Sequence, residues 1–252
     1  GKDMTLTLGS DLDNTSAADS FGSLHAGGNL TAEIQGAVSN RRNITAGEDL
    51  HLTATKNLAQ NETGTIYGKN LTLSAANLAN QGLMQADNAV EIKTTQLKND
   101  TAGRIYGEDI SAAATELRSD GKIISNGNAV LRADRIVGSG TFGSGISPAG
   151  TANADGSLTL DAKEIIQTNA NLLSGKDISL TADNIHTENT TIAGNGDIVV
   201  DSKGHLGIEK SVLQSGKNLS VRAETMPLTG NLFSGKDMTL TLGSDLDNTS
   251  AA

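Results

Sequence analysis

The chain contains no cysteine and no tryptophan, and only 2 prolines, 2 tyrosines and 3 phenylalanines among 252 residues. The lack of Cys excludes a disulfide framework and thiol chemistry, and it is compatible with a bacterial protein that crosses membranes unfolded and uncrosslinked. Aromatics at 2% cannot supply the large buried areas that anchor an ordinary compact core, so a core must come from many small aliphatic side chains placed at regular intervals. Positive charge is also scarce. A net charge of −10 and a pI near 4.8 work against nucleic acid and anionic membrane surfaces, which need a cationic footprint. No run approaches the roughly 18 consecutive apolar residues of a membrane-spanning helix, and GKDMTLTL at the start lacks the regions of a signal peptide. Neither nucleic acid binding nor membrane insertion is expected, and the chain reads as an internal segment of something larger.

What is present is repetition. A hydrophobic share of 36% with 19% charged residues is too apolar for a disordered tail. One octet recurs, as GKDMTLTL from Gly1, GGNLTAEI from Gly27, GEDLHLTA from Gly47, GKNLTLSA from Gly68, GEDISAAA from Gly107, GKDISLTA from Gly175, GKNLSVRA from Gly216 and GKDMTLTL from Gly235. Weaker copies start at Asp87, Gly127, Asp155 and Asn195. Successive starts lie 26, 20, 21, 19, 20, 20, 28, 20, 20, 21 and 19 residues apart, a unit of about 20 residues with two longer turns. Apolar residues alternate inside the octet, as in Leu50, Leu52 and Ala54 or Ile178, Leu180 and Ala182. That is the signature of a strand with one buried face.

Two further apolar points follow in each unit: Leu58 then Ile66, Leu78 then Leu83, Leu97 then Ile105, Ile165 then Leu172, Ile185 then Ile192, and Leu206 then Val212. One unit is therefore three short strands joined by three turns. Strands this short are not stable as isolated hairpins, but each can pair with its equivalent one unit later. The pattern predicts an all-β, right-handed parallel β-helix, its hand coming from the general crossover preference. About 20 residues at about 3.3 Å each give a circuit of about 66 Å, enough to enclose an apolar interior. Residues 1–252 are expected to form a single shaft segment with loop insertions near 17–26 and 137–156.

The turn position before the first inward residue holds Asp or Asn at Asp3, Asn29, Asp49, Asn70, Asp109, Asp177, Asp197, Asn218 and Asp237. These residue types tolerate tight corners and can hydrogen-bond to one another along a stack, so a turn ladder is expected there. Residues 1–18 are identical to residues 235–252, an offset of 234 residues.

The octet G-[KEN]-[DN]-[LI]-[TSH]-[LV]-x-A, followed by an [LI]-x-N-like segment, resembles the haemagglutinin repeats of filamentous haemagglutinin and related two-partner secretion exoproteins, among them contact-dependent growth inhibition proteins. The resemblance runs over essentially the whole chain. It implies a secreted or bacterial cell-surface location, export through an outer-membrane β-barrel transporter acting on parts outside this segment, and a host-cell or neighbouring-bacterium surface receptor for the parent protein. Neither the NPN-type motifs of the family's secretion domain nor the VENN motif of its toxin carriers occurs here, and the prolines are Pro148 and Pro227 alone. On that resemblance the chain is shaft, neither export signal nor toxin.

Other chemistries leave fainter traces. Parallel β-helices include polysaccharide-active enzymes, but acids such as Glu33, Asp161, Glu188 and Asp201 are scattered and show no convergent cluster. His25, His51, His186 and His205 lie in different units without ligand spacing, and GNGDIVVD from Gly194 matches the calcium nonapeptide once and in part. No catalytic residue, metal or cofactor is expected. Nine N-x-[ST] sequons occur, several being the repeat's own N-L-T or N-L-S. Recognition, if the segment has any, is expected on the insertions, through Phe21 in the first and Phe142 and Ile146 in the second. A receptor- or glycan-binding module using those loops is the alternative to a plain shaft. Bare strand edges at the ends predict end-to-end self-association.

Overall fold

The computed structural model describes residues 2–15, 23–147, 151–152, 155–244 and 246–247. Every regular element among them is a β-strand, and no helix there is long and apolar enough to cross a membrane. The chain divides into two compact units, Gly1–Ile123 and Ile124–Ala252. Each is a parallel β-solenoid.

In the first unit one coil consists of Asp49–Ala54, Asn57–Gln60 and Thr65–Gly68. Leu50 and Leu52 stand beside Leu30 and Ala32 of the preceding coil and beside Leu71 and Leu73 of the next. Leu58 lies between Val38 and Leu78, and Ile66 between Ile44 and Met84. The second unit repeats the plan with Ile178–Ala182, Asn184–Glu188 and Thr191–Gly194. Ile178 stacks between Leu158 and Ile198, Ile185 between Ile165 and Leu206, and Ile192 between Leu172 and Leu213. Each inward column is thus a file of aliphatic side chains, nearly all of them fully buried. Burial of one such side chain is worth about 1.5–3 kcal/mol, which is how a chain poor in aromatics acquires a core.

Glycine opens the octet for a spatial reason. A β-carbon on Gly47 would run into the carbonyl oxygen of Gly27, and one on Gly216 or Gly235 into that of Asn195 or Gly216, each one coil earlier. The coils pass too closely at this corner for a side chain.

Three sequence readings need correction. The inward residue of the third strand is Met84 in place of Leu83, and Leu213 in place of Val212, because these align with Ile66 and Ile192 of the coils before them. Period-two alternation then turns Leu83 and Val212 outward. The octet assigned from Gly127 begins one residue earlier, since Ala129 pairs with Leu158 and Leu131 with Leu160. A one-residue slip exchanges the two faces, so Ala129 and Leu131 are buried and Val130 is not.

Candidate functional site

The Asp/Asn corner is a ladder of side chain to backbone. The Asp3 carboxylate accepts from the Asn29 N–H at 2.8 Å, the Asn29 amide oxygen from the Asp49 N–H at 3.2 Å, and the Asn70 oxygen from the Ala89 N–H at 3.4 Å. Asn70 also donates its amide to Asp49 at 2.7 Å. Ala89 carries no group to continue toward Asp109, which stands next to it in register. In the second unit Asp177 accepts from the Asp197 N–H at 2.8 Å, Asp197 from Asn218 backbone and side chain at 3.0 Å, and Asn218 from the Asp237 N–H at 3.4 Å. Asn128 occupies the same place, accepting from the Ser157 N–H at 3.1 Å. Sequence reasoning missed it because of the one-residue slip.

A second ladder lies inside the first unit, at the N of the [LI]-x-N segment. Asn14 donates to Asn40 at 2.7 Å, and Asn40 to Gln60 at 2.6 Å. Further along, Asn80 donates to Asn99 at 2.9 Å and Asn99 to the Ser119 hydroxyl at 3.0 Å. Asn40, Gln60, Asn80, Asn99 and Ser119 are buried, and their remaining bonds go to backbone carbonyls such as Arg42 and Lys122. The signal for this ladder was the segment itself, which sequence reasoning quoted without asking which way its Asn points. In the second unit the matching corner holds Gln167, buried with neither side-chain polar atom bonded.

The second insertion does not present Phe142 and Ile146. Both are buried, at 0% and 3% exposure, against the expectation that the glycine-rich break exposes them. Phe142 belongs to the strand Thr141–Ser144 and stacks beside Leu172, while Ile146 folds back over Gly143 and makes an antiparallel bridge to Ala152. Residues 137–144 are largely strand, so the insertion is shorter than 137–156. Likewise Leu24–Ala26, inside the expected 17–26 insertion, is strand, and Phe21 lies outside the described residues.

The outer surface of the second unit carries paired charges instead. Arg222 holds Asp201 through two bonds, Nε to Oδ1 at 3.0 Å and Nη2 to Oδ2 at 2.6 Å. Lys203 pairs with Asp183 at 2.7 Å and Lys163 with Asp134 at 3.0 Å. The hydrogen bond from Arg222 holds the Asp201 carboxyl below the usual carboxylate range. Asp201, Lys203, Arg222, Glu224 and Thr241 line an open groove of about 390 Å³. Alternating signs leave this face without a strong field for either kind of ion. The four histidines remain apart: His25 meets Thr45, His51 meets Thr53, His205 meets Thr225, and His186 stands 3.8 Å from Glu209. Among the described residues no three His, Asp or Glu side chains gather as metal ligands would.

Two overlapping segments, residues 141–209 and 191–252, match the family model described as Haemagglutinin repeat. The chain carries the haemagglutinin repeats of the filamentous haemagglutinin family. No curated protein and no solved structure matches the chain significantly. The matched haemagglutinin repeats cover coils of the second unit, and the first unit has the same octets in the same coil register. Haemagglutinin repeats are adhesin-type and non-enzymatic as a family, associated with two-partner secretion and adhesion, and a solenoid of them fits a structural adhesin shaft.

Proposed function

We propose that residues 1–252 are one shaft segment of a large secreted bacterial exoprotein, providing reach and display at the cell surface. The observation that carries this reading is the regular stacking of haemagglutinin-repeat coils in each unit, with side chains committed to neighbouring coils and not to a pocket. Export would proceed through an outer-membrane β-barrel transporter of the two-partner secretion type. The parent's receptor, on a host cell or a neighbouring bacterium, would be met by parts that the shaft holds away from the surface.

The test is to express the parent protein in cells with and without the transporter and probe intact bacteria with antibody to coils 155–244. Surface labelling that depends on the transporter supports the proposal, and labelling confined to lysed cells overturns it. Deleting residues 145–156 addresses recognition through the second insertion. A shaft keeps the parent's cell binding after that deletion, whereas a receptor- or glycan-binding module loses binding while still folding.

A further inference from the structure

The last described coil ends in an unusual surface. Met238 and Leu240, at inward positions, are 42% and 36% exposed, because Leu219 and Val221 cover them from one side only. Residues 235–252 repeat residues 1–18 without a difference. In the earlier copy the face corresponding to the bare one is covered: Met4 stands beside Leu30, Leu6 beside Ala32 and Leu8 beside Ile34. Asp3, the counterpart of Asp237, accepts from the Asn29 N–H, and Asp11 accepts from the Ala37 N–H, each at 2.8 Å.

We propose that the bare face of coil 235–252 docks on coil 27–46 of a second copy of this chain, taking the place of that copy's residues 1–18. Every contact at the junction then already exists in this molecule. Coil 235–252 keeps its register on Leu219–Ala223 and acquires the register that Met4–Leu8 uses on Leu30–Ile34. Exchange of identical elements between copies replaces each lost contact by the same contact, which makes it an inexpensive route to assembly. Such an interface is heterologous and can repeat, adding one copy every 234 residues. The proposal does not depend on the shaft reading.

Because the chain has no cysteine, paired cysteines read the junction directly. Thr31 pairs in register with Thr5, whose identical counterpart is Thr239, and stacked strands place such partners about 4.8 Å apart, within reach of a disulfide. The Thr31→Cys, Thr239→Cys chain, mildly oxidised at high concentration, should give covalent dimers and longer ladders on a non-reducing gel. The out-of-register Thr31→Cys, Thr241→Cys chain should give at least tenfold fewer, and adding Leu240→Asp to the first pair should abolish them. Equal crosslinking by both pairs overturns the proposal. So does crosslinking through Thr5→Cys, Thr239→Cys in place of the first pair, which would mean that whole ends stack without exchange.

Discussion

Ile146 lies directly against the backbone of Gly143, where a β-carbon would stand 2.7 Å from Ile146 Cγ1 and collide with Cδ1. The absence of a side chain at one residue therefore lets the insertion tuck its own apolar residue into the core.

Gly143→Val should expel Ile146 at a cost of about 1–3 kcal/mol, the usual range for overpacking. Urea unfolding measures the loss, and limited proteolysis should show new cleavage between residues 145 and 156. A wild-type midpoint together with wild-type protease resistance would contradict the packing.

Asn99 and Gln167 are both fully buried amides in opposite situations. Asn99 is bonded to Asn80, Ser119 and Lys122, whereas Gln167 has no partner for either polar atom. Asn99→Ala strands three buried groups and should cost about 2–3 kcal/mol. Gln167→Met removes two unsatisfied groups and should be neutral or stabilising by about 1 kcal/mol. Equal losses in urea midpoint would show that the two amides share one environment.

The second unit has a left-handed corner at Asn169, Asn189 and Lys210, with φ of 56°, 48° and 48°. Asn tolerates this conformation and Lys does not. Lys210→Gly should raise the thermal midpoint, corresponding to about 1 kcal/mol, while Asn189→Gly should change it by less. A lower midpoint for Lys210→Gly would show that its side chain contributes more than its backbone costs.

Asp201 has a folded pKa depressed by the Arg222 hydrogen bond. The pair's contribution is therefore present above the unfolded carboxylate pKa of about 3.9 and lost as pH falls through the lower folded value. Both partners keep solvent contact, with side chains 28% and 66% exposed, so the contribution should stay below about 1 kcal/mol. Asp201→Asn should differ from wild type in urea midpoint at about pH 7 and converge with it at about pH 2. A difference that persists in acid would point to packing and not to charge.

Much of the fold was legible because a solenoid repeats its evidence. Leu50, Leu52 and Ala54 alone make a weak strand, but the same alternation every 20 residues or so leaves little else to build. Reading failed where a coil offers two adjacent apolar residues, as at Leu83–Met84 and Val212–Leu213. Only stacking on the previous coil decides between them. It failed also at Phe142 and Ile146, where glycine-rich composition reads as open loop and tertiary packing made half of it strand. The buried Asn ladder was visible as a motif, yet its direction depends on where the chain turns, which one coil's sequence does not state.

The claim that the coil is the structural unit is tested most directly by two deletions compared by circular dichroism and urea unfolding. Removing residues 176–195 takes out one whole coil and brings Gly175 to Gly196, so Leu160 can stack on Val200 in the register that Leu180 now fills on each side. The account predicts a cooperative fold with unchanged β content per residue and a stability lowered by about one coil's share. Removing residues 176–185 takes out half a coil and should destroy the fold of the second unit. Equal damage from both deletions, or survival of the shorter one alone, would contradict it.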